Sequence, residues 1–162
     1  MNNTLVHIPS EKLYKMYSDD ILRYSFSILR DYEEAKDMVQ EVFIRHFENE
    51  QSFKGACSYK TWLLIITRNL FYSKIKSKSF TNERVDEELN DSVFEVNYEI
   101  NISIKDALMK IPSEYSELLY LKEAEGYSYE EISQITETSL DNVAVRLHRA
   151  KKMLRKILKD RY

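Results

Sequence analysis

The chain has 162 residues, 43% hydrophobic and 31% charged, with only two glycines and two prolines; that length suits one domain or two small ones. So little glycine argues against folds that cradle phosphate in glycine-rich loops or turn many tight hairpins, and a mostly helical chain is expected. A single cysteine, Cys57, allows no internal disulfide, and the scattered His7, His46 and His148 lack metal-ligand spacing, so no metal or other cofactor is expected.

The longest apolar run, residues 62–66, is far short of the roughly 20 residues a membrane span needs, and no basic-then-apolar signal segment opens the chain. The expectation is a cytoplasmic protein with no membrane span. Net charge is −3, but the average hides segregation. Residues 54–80 hold six Lys or Arg and no acid, and residues 146–161 hold eight against Asp160 alone. Residues 81–105 carry seven acids against Arg84 and Lys105, and residues 106–141 carry nine against Lys110 and Lys122. Two basic blocks separated by acidic chain favour two polyanion contacts over one diffuse cationic surface.

In chain order, Leu13, Met16, Tyr17, Ile21, Tyr24 and Ile28 predict an amphipathic helix over 10–30 with Ser10 as its N-cap. Asp31 is placed to cap a second helix with the apolar stripe Ala35, Met38, Val39, Val42, Phe43 and Phe47, and an acidic outer face. The polar stretch 49–58, containing Gly55, reads as a loop, and a basic helix is expected from about Tyr59 to Lys76 or Lys78. Periodicity fades over 79–103, which reads as a flexible acidic linker. Two helical segments, 104–111 and 113–124, should follow, with Pro112 at the first helical position and Gly126 as the stop. Ser128-Tyr129-Glu130-Glu131 is an S-x-x-E capping box, and Ser139 heads a long helix with the stripe Val143, Leu147, Ala150, Leu154 and Ile157. A short helix, a brief turn and a longer helix carrying Arg146, Arg149, Lys152 and Lys156 off its buried stripe describe a helix-turn-helix whose second helix reads DNA.

Several residues then suggest chemistry. Asp37, Gln40 and Glu41 share one helical face suited to a basic helical partner. On the basic helix, Lys60, Arg68, Lys74 and Lys76 can neutralise phosphates, while Asn69 and Tyr72 can reach bases or sugars. Trp62 lies in the apolar cluster Trp62, Leu63, Ile65, Ile66, and packing is the better reading than base stacking. No nucleophile stands with a base and an orienting group in any known motif, so catalysis is not expected.

Taken in order, Asp37-Met38-Val39-Gln40-Glu41-Val42-Phe43, Thr61-Trp62-Leu63 with Ile66-Thr67-Arg68-Asn69, Ile111-Pro112 with Glu130-Glu131-Ile132, and Arg146-Leu147-His148-Arg149-Ala150-Lys151 resemble extracytoplasmic-function sigma factors of the sigma-70 group over about residues 10–158. The resemblance implies an all-α chain of two small helical domains joined by the linker. Residues 1–78 would bind core RNA polymerase and the minus-ten element, and 104–162 would bind the minus-thirty-five element. It implies that Asp37, Gln40 and Glu41 meet the clamp helices of the polymerase's largest subunit. The loop with Phe53, Lys54 and Ser58 matches the segment that holds an extruded minus-ten base, beside Lys60, Arg68, Asn69, Tyr72, Lys74 and Lys76. The reading helix would use Ser139, Asn142, Val145, Arg146, Arg149 and Lys152 in the major groove. Core polymerase and promoter DNA are the implied partners, with room for an anti-sigma factor. The competing reading is an independent helix-turn-helix regulator that binds DNA without polymerase.

Overall fold

The structure is a computed structural model describing residues 7–80 and 102–160, with side chains described over 7–78 and 106–160. The helices are α1 Ser10–Leu29, α2 Tyr32–Glu48, α3 Tyr59–Phe80, α4 Ile102–Met109, α5 Ser113–Leu119, α6 Tyr129–Thr136 and α7 Leu140–Lys159. A single 3-10 turn, Glu50–Ser52, follows α2, and a π-helical turn, Tyr120–Ala124, continues α5. There is no strand among the described residues. The linker expected over 79–103 lies outside the described residues except at its ends, where residues 79–80 close α3 and 102–103 open α4.

Local chemistry sets the boundaries. The Asp31 carboxylate accepts the Glu34 N–H at 2.9 Å and starts α2. The Ser128 hydroxyl accepts from Glu131 N–H while the Glu131 carboxylate accepts from Ser128 N–H, a reciprocal box that satisfies two otherwise orphaned donors of α6. Ser139 accepts from Asn142 N–H and starts α7; each such cap is worth about 1 kcal/mol. Ser10 is not the expected cap: Pro9 holds that position, and the Ser10 hydroxyl donates to Glu50 at 2.5 Å, pinning the start of α1 to the 3-10 turn after α2. Pro112 likewise stands one residue before α5, as its N-cap. After the π-helical turn the chain reverses at Gly126, with φ of 72° in the left-handed region where a β-carbon would be strained.

Most of the stripe residues bury as periodicity demands, Tyr17, Leu154 and Ile157 are half-buried, and two are exposed. Leu13, Ile21, Tyr24, Ile28, Met38, Val39, Val42 and Phe43 are buried, whereas Met16 and Phe47 are 45% and 41% exposed. The larger core draws residues from both sides of the expected linker. Leu118, Leu121, Ile132, Ile135, Val143 and Leu147 from α5 through α7 join the α1–α3 residues in one apolar cluster. Burying each such Leu, Ile or Val contributes roughly 1.5–3 kcal/mol, so the two units are packed together as well as linked. A smaller cluster of Ile111, Leu119 and Ala150 closes the second unit from behind.

Candidate polymerase and DNA interfaces

On α2, Asp37 and Gln40 are exposed and Glu41 is half-buried. Successive turns of the helix bury Met38, Val39, Val42 and Phe43, which leaves the three polar residues on the outward side. The Glu41 carboxylate sits 2.6 Å from Lys74 Nζ on α3.

The residues expected at the minus-ten element divide into two groups. In the first, Phe53 stacks on Tyr59 with ring centroids 4.1 Å apart, and Trp62 tilts against Phe53 at 5.8 Å. Trp62 Nε1 also donates to His46 Nδ1 at 3.3 Å, in agreement with a packing role. This aromatic set supports a loop that exposes Lys54. The exposed Ser58 accepts the Thr61 N–H at 3.1 Å and so caps α3. Asn69, Lys74 and Lys76 are exposed further along α3.

The second group, Lys60, Arg68 and Tyr72, faces the other helical unit. Arg68 Nε donates to Glu117 Oε1 at 3.0 Å, and Tyr72 Oη donates to Glu117 Oε2 at 3.2 Å. The Arg68 guanidinium lies over the Tyr72 ring, 4.5 Å from its centroid. Tyr24 on α1 completes the set by donating its hydroxyl to Glu117 Oε1. Glu117 is 1% exposed. Burial pushes its carboxyl above the ordinary range, opposed by the Arg68 charge and the three donated hydrogen bonds. Lys60 Nζ lies 3.1 Å from Glu125 and 3.4 Å from Asp20. Burial alone would lower the Lys60 ammonium, but the Glu125 hydrogen bond and the neighbouring charges outweigh it and hold it above its usual value.

Ser139, the N-cap of α7, is exposed, and along α7 Asn142, Val145, Arg149 and Lys152 are exposed on the side opposite the buried Val143, Leu147 and Ala150. Arg146 is half-buried and lines a crevice with Arg68, Glu114, Glu117 and Thr138. Sequence reasoning passed over Glu117, Glu125, Asp20 and Arg30, which join the two units. Ser116 to Leu119 are all buried, so α5 offers no polar face by which periodicity marks Glu117 as special. The available signal was a carboxylate set directly before Leu118-Leu119.

Two packed helical units, the second a helix-turn-helix whose long second helix is basic, have the architecture of a sigma-70-type transcription initiation factor. Comparison with known proteins agrees. Family models for Sigma-70 region 2 and Sigma-70, region 4 match residues 13–81 and 102–154. The chain is 31% identical over 155 residues to the RNA polymerase sigma factor YlaC of Bacillus subtilis (strain 168), with 90% of each chain covered. It is 29% identical over 164 residues to the ECF RNA polymerase sigma factor SigW of the same strain, covering 90% of this chain and 86% of SigW. In fold it matches the sigma factor RpoE in complex with the anti-sigma factor NepR from Bartonella quintana, with TM-score 0.76, 24% identity, and 92% and 96% of the two chains covered. The chain belongs to the extracytoplasmic-function subfamily of sigma-70 factors, and its function is that of an RNA polymerase sigma factor.

Proposed function

We propose that this sigma factor binds the clamp helices of core RNA polymerase through Asp37, Gln40 and Glu41, takes the minus-ten element on the 53–58 loop and α3, and reads the minus-thirty-five element with α7. Residues 1–78 and 104–162 act as the two functional domains, with 79–103 as the acidic linker between them. The observation that carries this reading is the face of α7, where Asn142, Val145, Arg149 and Lys152 stand exposed above a buried apolar stripe. Arg149 and Lys152 supply charge for phosphate or guanine, and Asn142 lies in the first turn, where a reading helix meets base edges. Polymerisation is the partner enzyme's chemistry; this chain contributes binding and positioning in the cytoplasm. An anti-sigma factor is a further partner of the proposal, supported by the fold match to RpoE, which was solved with NepR.

Strand separation follows from the first minus-ten group. Phe53 is committed to Tyr59 and Trp62, so it stiffens the loop while Lys54 and the loop backbone face a captured base. Such capture contributes only after unpairing. Replacing 53–58 by a Gly/Ser linker should therefore spare duplex binding by the holoenzyme and reduce permanganate reactivity of promoter thymines. Normal reactivity in every bound complex would remove the loop from the melting step.

A further inference from the structure

The 53–58 loop is closed by a ring of four side chains. Phe53 opens the loop, Tyr59 follows it as the first residue of α3, and their rings stack 4.1 Å apart. Trp62, almost one turn further along α3, tilts against Phe53 at 5.8 Å. Behind them lies His46, in the last turn of α2. Its ring meets Tyr59 edge-on at 6.1 Å, and its Nδ1 accepts the Trp62 Nε1–H at 3.3 Å. His46 is 2% exposed, whereas Lys54 and Ser58 on the loop are exposed. The loop therefore rests on a buried imidazole supplied by a different helix, and the hydrogen bond to Trp62 is the directional link in a set otherwise joined by ring contacts.

An indole N–H only donates, so the imidazole nitrogen that faces it must carry a lone pair. A neutral ring provides one by placing its proton on Nε2. The imidazolium carries a proton on both nitrogens, so no ring flip or tautomer restores the acceptor, and the Trp62 N–H would then face a second donor in a buried site. The charged groups around the ring come from two further elements. Glu50, on the 3-10 turn, favours the proton and His7, ahead of α1, opposes it, while burial disfavours it most. The Glu50 carboxylate is itself taken by the Ser10 hydroxyl at 2.5 Å and by His7 Nε2 at 3.3 Å. From α3 the ring is faced by Tyr59 and Trp62, and on α2 its charged neighbours Arg45 and Glu48 are exposed. The imidazole is therefore neutral at pH 7 and gains its proton only on acidification.

We propose that His46 is a positioning residue for strand capture: its neutral ring fixes Trp62 and, through Trp62 and Phe53, the 53–58 loop, so that protonating His46 slackens the loop and impairs promoter opening while sparing duplex binding. The proposal rests on the assignment of that loop to base capture. Lys74 and Lys76, assigned to duplex phosphates, lie twelve and fourteen residues beyond Trp62 on α3, about 18–21 Å along the helix, so slackening at Trp62 leaves them in place.

The test uses holoenzyme between pH 5.5 and pH 8 on a promoter fragment recovered by transcription of fragmented genomic DNA. Permanganate reactivity of promoter thymines is scored per bound complex, and duplex binding is followed by anisotropy. Three altered chains run beside the natural one. His46→Asn keeps an acceptor oxygen where Nδ1 stands but does not titrate, His46→Phe keeps a ring without an acceptor, and the third carries the Gly/Ser replacement of 53–58. Circular dichroism at each pH checks that the helices are retained. Reactivity with the natural chain should be level down to about pH 6.5 and then fall by about fivefold, the scale of one lost hydrogen bond. His46→Asn should remove that fall, His46→Phe should open poorly at every pH, and duplex binding should match the natural chain in both. Any acid effect on polymerase itself acts equally on the natural chain and His46→Asn, so their ratio reads His46 alone, even where His46→Phe fails to fold. Equal pH profiles for these two, with the loop replacement still lowering reactivity, would overturn the role of His46 and leave the loop assignment standing. The proposal also falls if His46→Asn opens no better than a folded His46→Phe at pH 8, or if duplex binding is lost in step with opening. Normal reactivity with the loop replaced would remove the loop assignment, and the role of His46 with it.

Discussion

Glu41 on α2 and Lys74 on α3 form an ion pair at 2.6 Å, so a residue assigned to polymerase neutralises one assigned to DNA. Both side chains are more than a third exposed, 38% and 45%, which limits the pair to roughly 0.2–1 kcal/mol. Glu41→Gln should weaken core binding and, by freeing Lys74, tighten duplex binding by no more than about fivefold at low salt. Asp37→Lys should weaken core binding alone. Anisotropy titrations with core polymerase and with duplex DNA check both, and equal behaviour of the two variants toward DNA would show that Lys74 does not contact phosphate.

Arg149 and Arg146 sit on the same helix but in different surroundings, exposed for Arg149 and half-buried beside Glu117 for Arg146. Arg149→Ala should cost the holoenzyme about 1–3 kcal/mol at promoters carrying the contacted base if the contact is to a base edge. A phosphate contact would instead weaken all promoters alike and lower the salt slope by about one unit. Footprints of holoenzyme on the upstream element, measured across a salt series, distinguish the two.

Much of this was legible before the structure, because helix boundaries are written in local chemistry. Asp31, Ser128 and Ser139 cap helices as their side chains require, and the stripes of α2 and α7 bury nearly as spaced. Long-range partnership was not legible. Arg68 and Tyr72 are separated from Glu117 by 49 and 45 residues of chain, and only the packing of α5 against α1 and of α6 against α3 brings them together. Likewise Ser10 makes a good cap by composition, yet Glu50 offers its hydroxyl a stronger, charged acceptor. Phe47 is 41% exposed because the inward position on the last turn of α2 is taken by His46, 2% exposed, one residue earlier.

His46 gives a dependence on acidity with a definite sign. Burial holds its imidazole below the ordinary histidine range, against the opposing influence of Glu50, and the neutral ring accepts the Trp62 N–H. The folded chain therefore binds this proton less readily than the unfolded chain. The His46 contribution is fully present above about pH 6.5 and is lost as pH falls through the lowered value. Glu117, raised by burial, contributes with the opposite sign, its stabilising share being lost as pH rises through its own raised value. Urea unfolding followed by fluorescence of Trp62, the only tryptophan in the chain, should show falling stability from about pH 7 to pH 5. His46→Phe should flatten that slope, and an unchanged slope would place the titration elsewhere.

The most direct test of the whole account is transcription in vitro from fragmented genomic DNA, with purified bacterial core polymerase and this chain added separately or together. Discrete transcripts should arise only from the mixture, at promoters that neither component protects alone. Their yield should fall with Asp37→Lys and with Arg149→Ala. A chain that protects a palindromic site without polymerase, and adds no initiation when core is present, would contradict the account.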